Sequence, residues 1–546
     1  MPGLNQLHRW SIHRLLRWLL PLVMMIGVLA ALLAERRAAG GSVFVSDRAY
    51  ADMAVARTLV LDGTYGLQPG APCPAVRDTL WRLALAAAGW LVGSVRVAAL
   101  LLATVCAIGT LLLILRLARL LFPFPPFILY AAVLLIAAPG LLTNALSGTS
   151  LPLATLLATA ACLLHVEGLR DRRPVLSFGC ALLVGLLAWI RLEFVLLWIV
   201  FWAQAALRIT PDGPGKGRRA AAMVKGLTGL LLLAVLLLPL FAWNLHWLGV
   251  AWPQAAGAPM TLNAWADRPL GEAAERQIVF SLRTLPALFG SASGVPLLQG
   301  FAGRLFAWFG AGLLVVLTLR RGEEYPFLLV PLLLVLLPAG LALLYPYMGA
   351  DSAPVVLGAM GPLFLLAAAF GIFRLPFAVE NLYRKWKAGL PEATGFDIWW
   401  TAVGGLLLLW ALVGMGRFAA RTAVERADRV QARQFISDTL VSGRVRAGRI
   451  LTDAPGWLAF THAVPVADLG GEFTPALLPA LRPDGRWRRE GLAEYLLEQP
   501  ADLLILWRGG QEELTGWLGG AELNPPPLRR LPPPVVRQLG PLPGAS

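Results

Sequence analysis

The polar segment that follows the first apolar run of the chain carries side chains that could move a proton. Residues 46–52 read SDRAYAD, and Asp47 stands at the start of a helix-like stretch a short distance beyond the apolar run. A carboxylate held just outside a membrane can act as a general base toward a hydroxyl group. The alternative is that Ser46 or Asp47 caps this helix by accepting hydrogen bonds from its first backbone N–H groups.

Several arginines could bind an anionic group such as a phosphate. Arg191 and Glu193 interrupt an otherwise apolar stretch, where ionisable groups usually face a cavity or a partner. Arg191 is therefore a candidate phosphate ligand, and an ion pair with Glu193 is the alternative. Arg48 and Arg57, in the polar segment near 35–78 that we call the outer segment, are further candidates. Asp52 lies four residues after Arg48, a spacing that favours an ion pair on the surface of a helix.

The composition excludes an ordinary soluble protein and argues against nucleic-acid binding. Hydrophobic residues make up 57% of the 546 residues, charged residues only 14%, and the mean hydropathy is +0.66. The net charge of +15 comes mainly from basic residues in short segments between apolar runs. That distribution is typical of a membrane protein with positively charged cytoplasmic loops, and the 20 tryptophans suit two membrane–water interfaces.

Hydropathy predicts an all-α polytopic membrane domain with about eleven transmembrane helices. The predicted spans cover residues 15–34, 95–115, 127–142, 150–166, 175–190, 192–207, 226–246, 299–319, 325–345, 354–373 and 398–416. A short apolar segment, 79–93, precedes the second span. If the basic N-terminus is cytoplasmic, alternation places the basic connections inside and the loops near 35–78 and 247–297 outside. We therefore expect a multi-pass protein of the bacterial inner membrane.

The composition changes sharply at residue 417. A charged helix-like segment leads into short apolar runs that alternate with turn residues, and a helix-like segment lies between Glu490 and Glu498. This pattern predicts a small α/β domain outside the membrane, with a proline-rich end. The predicted domains are thus a membrane domain, 1–416, and an extracytoplasmic domain, 417–546.

The outer segment resembles the first outer loop of the GT-C glycosyltransferases, which are multi-span enzymes that take sugars from polyprenyl-phosphate carriers. Members of that family show an acidic residue or pair, then Ala-Tyr or Ala-Phe, and later a glycine turn. Here Asp47 is followed by Ala49-Tyr50 and the turn 63–66 reads GTYG. Further stretches resemble the family's motifs in the same order, at 147–153, 186–193, 244–253 and 453–470. The resemblance extends over nearly the whole chain and is nearest to bacterial arabinofuranosyl- and mannosyltransferases.

This resemblance implies a GT-C-like membrane domain that moves a sugar from a polyprenyl-phosphate donor to a glycan, lipid or protein of the cell envelope, with inversion. It also implies that Asp47 is the base, and that Arg191, Glu193, Arg48 and Arg57 bind the donor phosphate or lipid. Membrane lipids are the other expected partner, and no nucleic acid is expected. No spacing typical of a metal site is found, although oxygen ligands for a divalent ion would leave no such signature.

Two rival functions stay open at this point. Arg48 stands where the family has a second acidic residue, and Ser150 stands where it has a glutamate. These differences favour a non-catalytic relative that binds lipid or assists assembly. A transporter or flippase of lipid-linked sugars is the other rival. Transporters often carry paired repeats, and the sequence shows no such pairing.

The predicted orientation can be tested by cysteine labelling of intact cells. Arg374, Arg384, Lys385 and Lys387 precede the last predicted span, so the positive-inside bias puts that segment in the cytoplasm. We expect a membrane-impermeant thiol reagent to label a cysteine at Ser437 and to miss one at Glu392. The reverse labelling pattern would contradict the predicted topology.

Overall fold

The computed structural model describes most of the outer segment, several long apolar helices and a part of residues 417–546, which we call the tail. The described residues are 46–75, 77–121, 147–171, 174–206, 216–249, 309–315, 329–344, 356, 358–367, 370–371, 424, 426–442, 448–462, 464–469, 473–474, 476–477, 489–507, 521–523 and 534–539. The first, third and last predicted spans and the predicted loop 247–297 lie almost wholly outside them.

Before residue 417, the described part of the chain consists mainly of helices. In chain order they are α1 Asp47–Asp62, α2 Thr79–Val92, α3 Val95–Leu121, α4 Leu151–Asp171, α5 Pro174–Ala188, α6 Val195–Ala206, α7 Lys216–Leu248 and α8 Leu329–Leu344. Helix α1 lies in the outer segment, and the others are apolar. Among the described residues, three helical segments are long and apolar enough to cross a membrane: Val95–Leu121, Leu151–Leu169 and Met223–Trp247. The 27 residues of α3 extend about 40 Å, which exceeds the roughly 30 Å of a bilayer's hydrocarbon core. The total of eleven spans stays a prediction.

Small side chains allow the long helices to approach one another closely. Helix α4 packs between α3 and α5, α5 also packs on α7, and α6 packs on α8. On α4, Ala154, Ala158 and Ala161 lie on one face at helical spacing and are completely buried. Dispersion contacts between closely packed helices hold such bundles together where lipid replaces water.

The chain breaks between α5 and α6, and this break positions the outer segment. A single 3₁₀ turn, Leu192–Phe194, separates the two helices. The backbone N–H of Asp78 donates to the carbonyl of Ile190 at 2.8 Å, and that of Leu80 donates to Trp189 at 3.3 Å. The beginning of α2 thus satisfies carbonyl groups that the end of α5 leaves free. As a result, Arg191 lies beside Asp78.

Helix α1 is buried on nearly every side although it belongs to an outer loop. It ends at Gly63, which adopts a left-handed conformation (φ 69°) and donates its N–H to Leu59 at 3.2 Å. Every residue from Ala49 to Ala56 is at most 2% exposed. One side of α1 packs on α2, and another packs on a helix of the tail, α9, Pro455–Thr461.

The tail contains a five-stranded sheet with the order β2-β1-β3-β5-β4. The strands are β1 Ile450–Thr452, β2 Val466–Asp468, β3 Leu503–Leu506, β4 Ala521–Leu523 and β5 Val535–Gln538. Strand β1 pairs in parallel with β2 and β3, while β5 pairs antiparallel with β3 and β4. Helix α10, Arg489–Glu498, packs on one face of this sheet. The domain boundary near residue 417 stays a prediction.

Alternating side chains of the tail sheet face two different cores. Ile450, Leu503 and Ile505 join the core that includes α1, whereas Leu451 and Leu504 join the core that includes α10. Successive residues of a strand point to opposite faces, so β1 and β3 contribute to both cores. The outer segment and the tail therefore share one hydrophobic core.

Close contact between α9 and α1 depends on Gly456. A Cβ atom placed on Gly456 would meet the backbone oxygen of Asp47 at 2.2 Å and the backbone nitrogen of Ala51 at 2.4 Å. Both obstacles are backbone atoms of a buried helix, which cannot move aside as a flexible side chain can. Only glycine fits at this position.

We expect Gly456→Ala to loosen the tail from α1 and to destabilise the protein by about 1–3 kcal/mol, as overpacking usually does. Limited proteolysis of the full chain in detergent should show faster cleavage within residues 424–546. Gly312→Ala is the matched control, because nothing lies within 4 Å of a Cβ at that glycine. Equal proteolysis rates for the two variants would contradict the importance of this contact.

Candidate active site in the outer segment

Asp47 faces the tail. Its Oδ2 accepts a hydrogen bond from the backbone N–H of Gly456 at 2.9 Å, and its Oδ1 accepts one from that of Trp457 at 2.8 Å. Burial raises the pKa of the Asp47 carboxyl, although these two bonds and the nearby Arg433 oppose that shift. Each oxygen of Asp47 therefore already has a backbone partner from α9.

Arg57 holds the other end of α9. Its Nη1 donates to the carbonyl of Phe460 at 2.8 Å and its Nη2 donates to that of Ala459 at 3.0 Å. The guanidinium also lies 5.0 Å from the centroid of the Phe460 ring. A carboxylate at the N-terminal end of α9 and a guanidinium at its C-terminal end both complement the helix dipole. Asp47 and Arg57 thus act as a clamp on the tail.

Asp78 lies at the centre of a separate set of charges. Its Oδ2 accepts hydrogen bonds from Nη2 and Nε of Arg48 at 2.7 and 3.1 Å, and its Oδ1 accepts one from the hydroxyl of Ser150. Its backbone adopts a left-handed conformation (φ 56°) just before α2. Burial would raise the pKa of the Asp78 carboxyl, but the guanidiniums of Arg48, Arg191 and Arg82 and the Ser150 hydroxyl hold it below its usual value.

Asp52 and Arg82 form an ion pair with no exposure to solvent. Arg82 Nε lies 2.8 Å from Asp52 Oδ1, and both side chains are 0% exposed. Arg48 Nε is a more distant partner of the same oxygen, at 3.7 Å. Asp52 Oδ2 is buried and has no hydrogen-bond partner. Burial raises the pKa of Asp52 to about 6, while Arg82 and Arg48 act in the opposite direction.

Aromatic residues enclose this ion pair. Nη1 of Arg82 donates to the hydroxyl of Tyr65 at 3.3 Å, and that hydroxyl donates to Oγ1 of Thr79 at 3.3 Å. Burial raises the pKa of Tyr65 to about 12, so its hydroxyl stays protonated. From the tail, the ring of Phe473 lies 5.0 Å from the guanidinium of Arg82 and 5.6 Å from that of Arg48.

Arg191 contributes a third cation. It precedes the 3₁₀ turn in an extended conformation (φ −150°), and its Nε is buried without a hydrogen-bond partner. Glu193 is only 5% exposed, and no ion pair joins these two described residues. The expected alternative, an Arg191–Glu193 pair, is therefore wrong.

We refer to Arg48, Asp52, Asp78, Arg82 and Arg191 as the outer charge cluster. Three guanidiniums and two carboxylates give it a formal charge of +1 when both carboxylates are ionised. It contains one buried carboxylate oxygen and one buried guanidinium N–H group that lack partners. A ligand that carries an anionic group and a hydroxyl group could satisfy both. In the part of the chain that the structure describes, no group of three or more His, Cys, Asp or Glu side chains could hold a metal ion.

Comparison with known proteins identifies the fold. No protein-family profile matches the chain, and no curated protein sequence matches it. The structure is similar to that of ArnT from Cupriavidus metallidurans in the apo state, with a TM-score of 0.51, 13% identity and coverage of 95% of this chain and 97% of that one. It is also similar to the Archaeoglobus fulgidus oligosaccharyltransferase in a complex with Zn and sulfate, with a TM-score of 0.51, 13% identity and coverage of 92% and 71%. The chain has the GT-C fold.

The GT-C fold confirms the fold that the ordered motifs predicted, whereas the arabinofuranosyl or mannosyl subtype stays a prediction. Within this fold, the structure brings together only some of the predicted site residues. Arg48 and Arg191 lie beside Asp78, whereas Asp47 and Arg57 hold the tail. The role of Asp47 as the base stays a prediction.

Two expectations about the outer helix of this GT-C chain are wrong. Ser46 makes no capping hydrogen bond, and Asp47 binds the backbone of α9 rather than that of its own helix. Asp52 does pair with Arg48, at 3.7 Å, but this pair is not at the surface as expected, because Asp52 is completely buried and Arg82 is its nearer partner at 2.8 Å. Both errors arise because the tail covers α1.

Asp78, Arg82 and Ser150 are site residues that motif comparison did not select. Arg82 is a charge within the apolar segment 79–93, and such charges usually face a partner or a cavity. It also lies only four residues after Asp78, the acidic residue that directly precedes this segment. That combination was the available signal in the sequence.

The buried ion pair predicts a pH dependence of stability. The pKa of Asp52 is raised from 3.8 to about 6, so the folded protein keeps a proton that the unfolded chain releases within this window. The contribution of Asp52 to the free energy of unfolding should therefore decrease as the pH rises from about 4 to 7. Asp52→Asn cannot titrate, so its stability relative to the wild type should increase by about 3 kcal/mol over that range.

This difference can be measured by unfolding of the full chain in detergent at several pH values. Asp62→Asn is the matched control, because Asp62 is exposed at the end of the same helix. Parallel stability curves for the wild type and Asp52→Asn would show that burial does not shift this carboxyl.

Proposed function

We propose that the protein is a glycosyltransferase that moves a sugar from a polyprenyl-phosphate donor to an acceptor of the cell envelope. The observation that carries this proposal is the outer charge cluster, which has an excess of one guanidinium and lies beside apolar helices. Asp52, Asp78 and Arg82 of this cluster are buried, and Arg48 and Arg191 are partly buried. A lipid phosphate needs cationic hydrogen-bond donors for its oxygens and an apolar surface for its chain. The cluster and its surroundings offer both.

Arg191 is the residue best suited to the donor phosphate. Arg48 and Arg82 already have carboxylate partners at 2.7 and 2.8 Å, whereas Nε of Arg191 has no hydrogen-bond partner. A planar guanidinium also matches the geometry of two phosphate oxygens. We assign Arg48 to a supporting role, because its pairing with Asp78 fixes the carboxylate beside which Arg191 lies.

The polyprenyl chain would lie along α2 and α3. Arg82 of α2 belongs to the cluster, and Trp90 and Leu91 at the other end of this helix are 73% and 76% exposed. Helix α3 follows after Gly93 and presents exposed side chains such as Leu101 and Val105. This apolar surface begins at the cluster and continues along a helix long enough to cross the membrane.

The location of the reaction follows from the predicted topology. The positive-inside bias places the N-terminus in the cytoplasm and the tail outside the inner membrane. In that orientation the outer charge cluster lies at the outer face, where donor and envelope acceptor would meet. This orientation is part of the proposal.

A non-catalytic lipid-binding relative is the second candidate function. It is favoured by the occupied carboxylates: both oxygens of Asp47 and both oxygens of Asp78 have hydrogen-bond partners. Such a protein would bind a polyprenyl phosphate through Arg191 without transferring the sugar. Transfer and binding therefore have to be measured separately.

The experiment is transfer of radiolabelled sugar from a panel of polyprenyl-phosphate sugars into membrane acceptors. We expect Arg191→Gln to lower kcat/KM by about 10- to 100-fold, because a hydrogen bond to a charged group is worth about 1.5–3 kcal/mol. Arg191→Lys should recover only part of the loss, because ammonium lacks the planar fork of guanidinium. Arg116→Gln is the control, because Arg116 is 63% exposed and pairs with Glu167.

The results separate the two candidate functions. Transfer by the wild type that falls in Arg191→Gln and persists in Arg116→Gln supports the transferase. Binding of polyprenyl phosphate without transfer from any donor in the panel would favour the non-catalytic relative. Equal transfer by Arg191→Gln and the wild type would refute the phosphate role of Arg191.

A further inference from the structure

Asp52 is distinguished from the other wholly or partly buried aspartates of the outer segment, Asp47 and Asp78, by one oxygen without a hydrogen-bond partner. Asp47 uses both oxygens to accept backbone N–H groups of α9. Asp78 uses one oxygen for Arg48 and the other for Ser150. Asp52 Oδ2 has no hydrogen-bond partner, and it is the one carboxylate oxygen in the described part of the chain that is both buried and unpartnered.

A buried carboxylate oxygen without a partner is unfavourable by itself. Its lost hydration is not replaced, which costs about 1–3 kcal/mol and more for a charged group. Native proteins keep few such groups, and they require an explanation such as a catalytic role. A hydroxyl group of a bound substrate would supply the missing donor.

We propose that Asp52, through Oδ2, accepts the proton of the acceptor's reacting hydroxyl group. This proposal rests on the proposed function and names the group that activates the acceptor. Asp47 would then be a positioning residue that holds the tail in place.

One bond forms and one bond breaks at the anomeric carbon in the proposed step. The acceptor oxygen forms a bond to the anomeric carbon of the sugar while the bond from that carbon to the phosphate oxygen breaks. The bonding electron pair leaves with the polyprenyl phosphate, and the hydroxyl proton moves to Asp52 Oδ2. Arg191 offsets the charge that develops on the phosphate. Asp52 later releases the proton to water.

The surroundings of Asp52 suit this task. Nε of Arg82 and Nε of Arg48 lie 2.8 and 3.7 Å from Oδ1 and fix the carboxylate in place. Oδ2 keeps its capacity to accept a hydrogen bond. The charged and titratable groups around it are these two arginines, Asp78, and Tyr65, which binds Arg82. Burial raises the pKa of Asp52 to about 6. Asp52 is therefore a stronger base than an exposed aspartate, and its carboxyl is still ionised near neutral pH.

Asp52 is covered when the tail is docked. Its side chain is 0% exposed, and Phe473 of the tail lies over both arginines that bind it. The acceptor therefore reaches Oδ2 only after local opening of this layer. Reclosure excludes water, which would otherwise compete with the acceptor for the sugar.

The test compares Asp52→Asn with Asp47→Asn in the transfer assay on the full chain. We expect Asp52→Asn to lower kcat by about 10²–10⁴-fold with little change in the donor KM, since loss of a positioned base has this effect. The kcat/KM of the wild type should fall on the acid side of about pH 6, and this decline should be absent from the residual activity of Asp52→Asn. Asp47→Asn should lower kcat much less than Asp52→Asn does, because it changes contacts with the tail and not the proton acceptor. Asp62→Asn, at an exposed position of the same helix, is the control that should match the wild type.

Loss of folding would be a separate explanation for an inactive variant. Asp52→Asn leaves the charge of Arg82 buried without its carboxylate partner. The double variant Asp52→Asn/Arg82→Gln avoids this, because it replaces both charged side chains with neutral amides. It should melt as a folded protein and show the same loss of kcat. Asp52→Glu should recover part of the activity, and the decline of its kcat/KM on the acid side should occur at a different pH from that of the wild type.

The outcomes distinguish the two proposals. A folded Asp52→Asn or double variant with kcat near that of the wild type and an unchanged pH profile would overturn the role of Asp52. Loss of kcat in Asp47→Asn alone would assign the base to Asp47. Absence of transfer by the wild type from every donor would refute the proposed function, and the role of Asp52 with it.

Discussion

The ion pair between Asp52 and Arg82 lies at the centre of the polar contacts that connect the outer part of the molecule. Removing two charges completely from water costs several kcal/mol per ion, and their attraction offsets this only when the remaining polar atoms are also satisfied. Arg82 has Tyr65 as a second partner, and Arg48 extends the network to Asp78. Asp78 in turn is held by the backbone of Ile190. One buried charge pair thus connects α1, the start of α2 and the break between α5 and α6.

The tail belongs to the same arrangement. The tail helps to keep the ion pair of Asp52 away from water, because the ring of Phe473 lies over Arg82 and Arg48. Asp47 and Arg57 bind the two ends of α9, and Gly456 lets the two backbones come into contact. The tail sheet then contributes alternate side chains to the core around α1. The tail therefore covers part of the outer charge cluster, although all five charged residues of the cluster precede residue 417.

Periodic features of this protein were predictable from its sequence, and partners distant in the chain were not. Hydropathy predicted long apolar helices such as α3, and the ordered motifs predicted the GT-C fold. The helix predicted to begin at Asp47 does begin there. Its partner, Gly456, lies 409 residues further along the chain, and no local spacing could indicate it. The four-residue spacing indicated Arg48 as the partner of Asp52. In the folded protein Arg82, 30 residues further along the chain, lies closer to Asp52 than Arg48 does.

Three aspartates of one outer segment illustrate how surroundings decide chemistry. Asp78 has both oxygens engaged and a lowered pKa, so it stays ionised and orients Arg48. Asp47 has a raised pKa, yet both of its oxygens serve the backbone of α9, so proton transfer would require the tail to move. Asp52 combines a raised pKa with a free oxygen. Motif order identifies the segment in which a base would lie, but hydrogen-bond saturation determines which carboxylate oxygen could accept a proton.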